Sequence, residues 1–198
     1  MTRIEELKQF LNGKDYVTTS EIVSFGLDRV IIKKAIENGI LFKIKNGLYS
    51  TDLNIEDPFL IIQKGNNVIF SNETALYLNG LSDRTPIKYS ITVLQGSSSN
   101  LLKKHNNIKK YYVSKKYFNL GTIDLITPYG NVVKTYNIDR TIVDIIKNES
   151  RIDRQVYLQA INYYMQSKNK NISAALNYAS KFKCFKKVKN ILSLFGEI

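Results

Sequence analysis

The sequence predicts an α+β protein. A small N-terminal module of three helices is closed by a hairpin, and a larger mixed α/β domain follows that ends in a helical segment. Three observations predict this. Apolar residues recur at helical spacing between clear stop signals near the N-terminus. An Asn46-Gly47 pair separates two short alternating runs. Further on, short β-rich runs separated by turn residues give way to helical periodicity after about residue 136. A length of 198 residues suits one or two domains. The boundary is placed after residue 52, giving domains 1–52 and 53–198.

Each element has its own signal. Ile4, Leu7, Phe10 and Leu11 form a helical stripe that Asn12-Gly13 stops. Thr18 with Glu21 three residues later is a capping box, and Val17 and Ile22 stand where its hydrophobic staple belongs. This second helix is short and ends at Phe25-Gly26-Leu27. Asp28 caps a third helix, Arg29 to Asn38, which Gly39 ends. Residues 40–45 then alternate apolar and basic, Asn46-Gly47 turns, and Leu48-Tyr49-Ser50 returns. Helix, short helix, tight turn, helix and ribbon in this order predict a winged helix-turn-helix over residues 1–52.

Beyond the polar stretch at 52–57, Pro58 opens a helix to Lys64. Val68-Ile69-Phe70 reads as a buried strand, and Ser71 caps a helix over 72–79. Strands follow at 89–94, 111–113, 123–126 and 132–136, the last two joined by Pro128-Tyr129-Gly130-Asn131. Helices are predicted over 140–148, 154–167, 173–182 and 185–195.

Composition narrows the function. One cysteine, Cys184, excludes an internal disulfide or a cysteine-based zinc cluster, and the one histidine, His105, has no partner for a two-histidine metal site. No signal-peptide core and no membrane-length apolar run is present, so a cytoplasmic protein without a membrane partner is expected. The net charge is +12. Residues 1–95 balance 11 basic against 11 acidic side chains, so the excess lies wholly in residues 96–198. Such a field favours a polyanion or an acidic protein.

Two groups of residues are candidates for contact. On the third helix, Ile31, Ile32, Ala35 and Ile36 form the packing side, while Arg29, Lys33 and Lys34 lie opposite. A helix of this kind reads the major groove, with Arg29 suited to a guanine and the lysines to phosphates. In the ribbon, Phe42 and Ile44 are expected inward, so Lys43 and Lys45 point outward, with Asn46 at the tip. Thr19 and Ser20 at a helix N-terminus can donate to a phosphate. In the second half, Lys103, Lys104, Lys109, Lys110, Lys115 and Lys116 alternate with aromatic residues and no acid. They suit a nucleic-acid backbone, although aromatics alternating as strand residues favour a solvated strand edge. Lys186 and Lys187 lie on the last helix beside Ile191 and Leu192.

No catalytic residue, metal site or cofactor is indicated. His105 has no acid or nucleophile nearby in sequence, Asp124 is not followed by the Glu-x-Lys of a metal nuclease, and no phosphate-binding glycine loop is present. Arg140 and Asp144, four apart on a helix, read as a structural ion pair.

Three segments carry a resemblance. They are the wing end Lys45-Asn46-Gly47-Leu48-Tyr49, the segment Phe70-Ser71-Asn72-Glu73-Thr74-Ala75-Leu76-Tyr77-Leu78, and Ile138-Asp139-Arg140-Thr141-Ile142-Val143-Asp144-Ile145-Ile146. Together with the terminal helices around Ala174-Ala175-Leu176 they resemble the AbiEi family of antitoxins, from type IV toxin–antitoxin and abortive-infection modules. The resemblance implies that the N-terminal domain binds inverted repeats in its own promoter and represses the operon. It implies that the C-terminal domain neutralises a nucleotidyltransferase-like toxin of the AbiEii type, with or without a direct complex. A monomer that binds cooperatively on DNA fits this scheme. Two other functions fit the residues alone: a ligand- or partner-responsive winged-helix transcription factor without a toxin, and an RNA-binding protein using the basic second half.

Overall fold

The structure is a computed structural model and describes residues 2–52, 57–64, 67–97 and 107–195. The chain divides into two compact units, Met1–Asn66 and Asn67–Ile198. Each contains helices and a sheet of its own, so the α+β class holds.

The first unit runs α1 (Arg3–Leu11), β1 (Tyr16–Thr18), α2 (Thr19–Ser24), α3 (Arg29–Glu37), β2 (Phe42–Lys45), β3 (Leu48–Ser50) and α4 (Pro58–Gln63). Local chemistry fixes the helix starts. Thr2 and Glu5 form a capping box on α1, as Thr18 and Glu21 do on α2. The Asp28 carboxylate accepts from the Ile31 amide at 3.0 Å and starts α3. Leu7, Leu11, Ile22, Leu27, Ile32, Ala35 and Leu41 are buried together where the three helices meet.

The sheet has a third member. β1 joins the ribbon in the order β1-β3-β2, all antiparallel. At three residues it is too short for a period-2 pattern to reveal. It also ties α4 to this unit: the Asp57 amide donates to the Tyr16 hydroxyl at 3.0 Å. The Asp57 carboxylate accepts from the amides of Phe59 and Leu60 at 2.8 and 3.1 Å, and Phe59 and Ile62 are buried. The helix expected beyond residue 52 therefore lies in the first unit.

In the second unit five strands stand in the order β6-β5-β4-β8-β7. They are β4 (Val68–Phe70), β5 (Tyr89–Leu94), β6 (Ile108–Val113), β7 (Thr122–Ile126) and β8 (Val132–Tyr136). β4 pairs antiparallel with β5 and parallel with β8; β5–β6 is parallel and β7–β8 is the expected hairpin. The helices are α5 (Asn72–Leu78), one turn of α6 (Lys115–Phe118), α7 (Ile138–Lys147), α8 (Arg154–Gln166), α9 (Ile172–Lys181) and α10 (Phe185–Phe195). A 3-10 turn at Glu149–Arg151 follows α7.

α7 is the centre of this unit. Every residue from Asp139 to Ile146 is buried. Ile142, Val143, Ile145 and Ile146 pack with Leu76 of α5, Tyr157 and Ile161 of α8, Ala175 and Ala179 of α9, and Val188 and Leu192 of α10. The polar members are partnered, as burial demands. Asp139 accepts from the Tyr164 hydroxyl and the Asn171 amide, both at 2.8 Å. α7 starts at Ile138, two residues before the expected Arg140, because Asn137 is its N-cap and accepts from the Arg140 amide at 2.9 Å. Ser71 stands at the N-cap of α5 without a side-chain cap bond.

Candidate nucleic-acid interface

The exposed side of α3 carries the first group of candidates. Its buried residues are Ile31, Ile32 and Ala35, so Arg29, Lys33 and Lys34 face solvent as the pattern requires. Lys33 lies 3.9 Å from Glu37, one turn on, with both side chains mostly exposed. A pair of that kind contributes little and releases its lysine readily. Val30 is 61% exposed on the same helix, between the basic residues, and was not singled out by the sequence pattern.

Beside α3 the ribbon departs from expectation. Lys43 faces Tyr49 across the sheet, whereas Lys45 faces Leu48, so the register slips at Ile44. Such a bulge reverses the alternation beyond it. Lys43 is exposed. Lys45 is not an outward wing cation: its ammonium donates to the Ile61 carbonyl of α4, and burial pushes its pKa down. Asn46 remains exposed at the turn.

The start of α2 is largely occupied. The Thr19 amide donates to the Gly47 carbonyl at 3.0 Å, which ties the ribbon turn to this helix. The Thr19 hydroxyl lies 3.5 Å from the Tyr49 hydroxyl. The Glu21 amide is taken by Thr18, and the Glu21 carboxylate, paired with Lys64 at 2.9 Å, places negative charge at this end. Thr19 is therefore a structural link between helix and ribbon. Ser20 stays exposed.

The second group does not form one free cationic row. Lys103 and Lys104, with His105, lie outside the described residues. Lys109 bonds Glu73 at 2.7 Å and also donates to the Arg151 carbonyl. That pair lies in the wall of a recess of about 530 Å³ shared with Ile87, Lys88 and Val156. Lys110 is half-buried on β6. Lys115 and Lys116 are exposed on α6, and Lys186 is exposed on α10. Lys187 pairs with Glu149 at 2.9 Å.

Instead, α7 and the 3-10 turn after it bring charge together at one groove. Arg140, Asp144, Lys147 and Arg151 recur at helical spacing, and with Asn72 and Asn148 they line a groove of about 260 Å³ beside β5 and β6. Arg140 and Asp144 are the structural ion pair expected, at 2.9 Å. The spacing was legible; which face of α7 met the sheet was not. Cys184 is half-buried, and burial pushes its thiol pKa up, against a reactive thiolate. Among the described residues no group of His, Cys, Asp or Glu could hold a metal ion, and no helix is long and apolar enough to cross a membrane.

Among solved structures, the chain is similar to the RV2827C protein from Mycobacterium tuberculosis. The TM-score is 0.63 at 12% identity, over 100% of this chain and 78% of that one. At that identity the likeness is one of fold. Comparison with protein-family models and with curated proteins gives no match.

Proposed function

We propose that residues 1–52 act as a winged helix that binds double-stranded promoter DNA, and that the chain is a non-enzymatic antitoxin and autorepressor of the AbiEi type. In this reading α3 enters the major groove at inverted repeats and the ribbon lies along the backbone. The second unit neutralises a nucleotidyltransferase-like toxin in the cytoplasm. The observation that carries the DNA reading is the exposed basic side of α3, Arg29, Lys33 and Lys34, on a capped helix beside a three-stranded β1-β3-β2 sheet. The antitoxin assignment rests on the three sequence segments that resemble that family.

The test is a titration of the full chain with its own upstream DNA across salt concentration. Arg29→Ala is expected to weaken specific binding by about 1–3 kcal/mol and to relax base preference. Lys33→Ala is expected to weaken binding to all sequences and to lower the salt slope by about 0.9. Neutralisation of the toxin in cells is expected to survive both changes. Unchanged operator affinity in the Arg29/Lys33 double variant would overturn the DNA reading. Loss of neutralisation with the same variant would overturn the division of labour.

A further inference from the structure

We propose that the groove between α7 and strands β5 and β6 binds the phosphate groups of a small phosphorylated anion, a nucleotide or pyrophosphate. This inference stands apart from the DNA reading, because all its residues lie in the second unit and none belongs to the α3 surface.

Charge makes the first argument. Arg140, Lys147 and Arg151 line the groove, and Asp144 is the one carboxylate among its lining residues. Asp144 is already matched by Arg140 at 2.9 Å. Lys147 and Arg151 are then in excess; both are exposed, and neither makes an ion pair among the described residues. A fixed positive excess beside a concave, polar wall is what an oxyanion requires.

Fixation makes the second. The Arg151 guanidinium lies 4.1 Å from the centre of the Tyr111 ring and donates to the Lys110 carbonyl at 3.0 Å. Its own carbonyl accepts from Lys109. Arg151 is thus held by its head and its backbone, so ordering it on a ligand costs little. The Lys147 ammonium rests 5.1 Å from the Phe182 ring. Across the groove Asn72, 1% exposed, holds a left-handed backbone at φ 46°, and its amide oxygen accepts from Asn148 at 2.9 Å. Asparagine adopts that conformation readily, and the bond from Asn148 fixes its side chain at the groove wall.

Size makes the third. About 260 Å³ is below the roughly 300–1,000 Å³ of sites that enclose a whole drug-sized ligand. The groove takes a phosphate or pyrophosphate group and leaves the rest of the molecule outside. Tyr112 borders the groove through its strand, and alternation along β6 turns its side chain away from the face on which Tyr111 meets Arg151, so no aromatic ring among the lining residues is left to hold a base. The ligand is either a nucleotide or free pyrophosphate, two sources of the same anion chemistry.

The experiment is calorimetric titration of the full chain, without DNA, with adenosine triphosphate and with pyrophosphate at matched ionic strength. One saturable site is expected. Lys147→Gln and Arg151→Gln are each expected to weaken it at least tenfold. Both residues are exposed, so a retained cooperative unfolding transition in each variant is the check on folding. Lys189→Gln, exposed on α10 and outside the groove, is expected to change nothing. Tighter binding of the nucleotide than of pyrophosphate would identify a nucleotide. Equal affinities would identify pyrophosphate. The absence of saturable binding of either compound to the unmodified chain would overturn the proposal. So would a loss that Lys189→Gln shares, since that is bulk charge alone.

Discussion

Arg140 and Asp144 form an ion pair inside the second unit, 2.9 Å from Nε to Oδ2, with side chains 3% and 8% exposed. The guanidinium also donates to the carbonyls of Tyr117 and Leu120, at 3.3 and 3.1 Å. It lies 4.3 Å from the centre of the Tyr136 ring and 3.9 Å from that of Phe182. Burial pushes the Asp144 carboxyl up, while Arg140 pulls it back. Removing one member of such a pair leaves a buried charge alone, at a cost of about 3–5 kcal/mol. Asp144→Ala is therefore expected to lower stability by about that amount in urea denaturation of the full chain. Replacing both members by apolar residues of similar volume is expected to cost much less than the sum of the two single changes. Additive losses would show that the two side chains act independently.

Gly121 faces the same arginine. Its φ is +77°, and a Cβ there would meet the Arg140 Cβ at 3.0 Å and the Tyr178 hydroxyl at 3.1 Å. Its carbonyl accepts from the Asn137 amide at 2.8 Å, one residue before α7 begins. Gly121→Ala combines an unfavourable backbone region with a contact that requires Arg140 or Tyr178 to give by a few tenths of an ångström. A loss of about 1–3 kcal/mol is expected from the strain, read as a shifted denaturation midpoint. Gly130, at φ +86° in the β7–β8 turn, has nothing within 4 Å of such a Cβ. Gly130→Ala is expected to cost less, and an equal loss at both positions would leave the contact without effect.

These two positions mark how far the sequence was legible. Elements with a local signal were readable to within a residue or two: the capped α2 and α3, β4, β5 and β8, and α10. Their signals lie within a few residues of themselves, in Thr18 with Glu21 and in Asp28. β1 and α6 were not readable, because elements of three or four residues carry no period and depend on a distant partner. At the candidate interface the same divide appears. Arg29, Lys33 and Lys34 followed from helical spacing, whereas Lys45 was assigned outward by an alternation that the bulge at Ile44 breaks. The α7 groove needs Asn72, Tyr111 and Arg151, which chain order scatters and only the sheet brings together.

Glu21 makes stability of the first unit depend on acid. Burial raises its pKa, but bonds from the Thr18 amide at 2.6 Å, the Thr18 hydroxyl at 2.7 Å and Lys64 at 2.9 Å outweigh that, and the net shift is downward from 4.5. A carboxylate with a depressed folded pKa stabilises above its unfolded value and loses that contribution as pH falls through its folded value. Stability is therefore expected to decline below about pH 4.5 more steeply in the unmodified chain than in Glu21→Gln, measured as urea midpoints against pH. Parallel curves would mean that the pairing with Thr18 and Lys64 makes no net difference between the folded and unfolded chain.

The two ribbon lysines provide the sharpest comparison, because alternation treats them alike and the structure separates them. Lys43 is exposed, while the Lys45 ammonium is bound to the Ile61 carbonyl and its charge is disfavoured by burial. If the ribbon lies along a DNA backbone, Lys43→Gln removes one phosphate contact. It is expected to reduce the salt slope by about 0.9 without changing stability. Lys45→Gln is expected to leave the salt slope intact and to lower the denaturation midpoint, since the shorter glutamine amide stops short of the Ile61 carbonyl. Lys45→Met keeps the stem but not the donor, and is expected to behave as Lys45→Gln does. The measurement is affinity for the upstream DNA at several salt concentrations, paired with urea denaturation of each variant. A salt slope that falls equally for Lys43→Gln and Lys45→Gln would place both ammonium groups on the DNA and remove the bulge from the account of this surface.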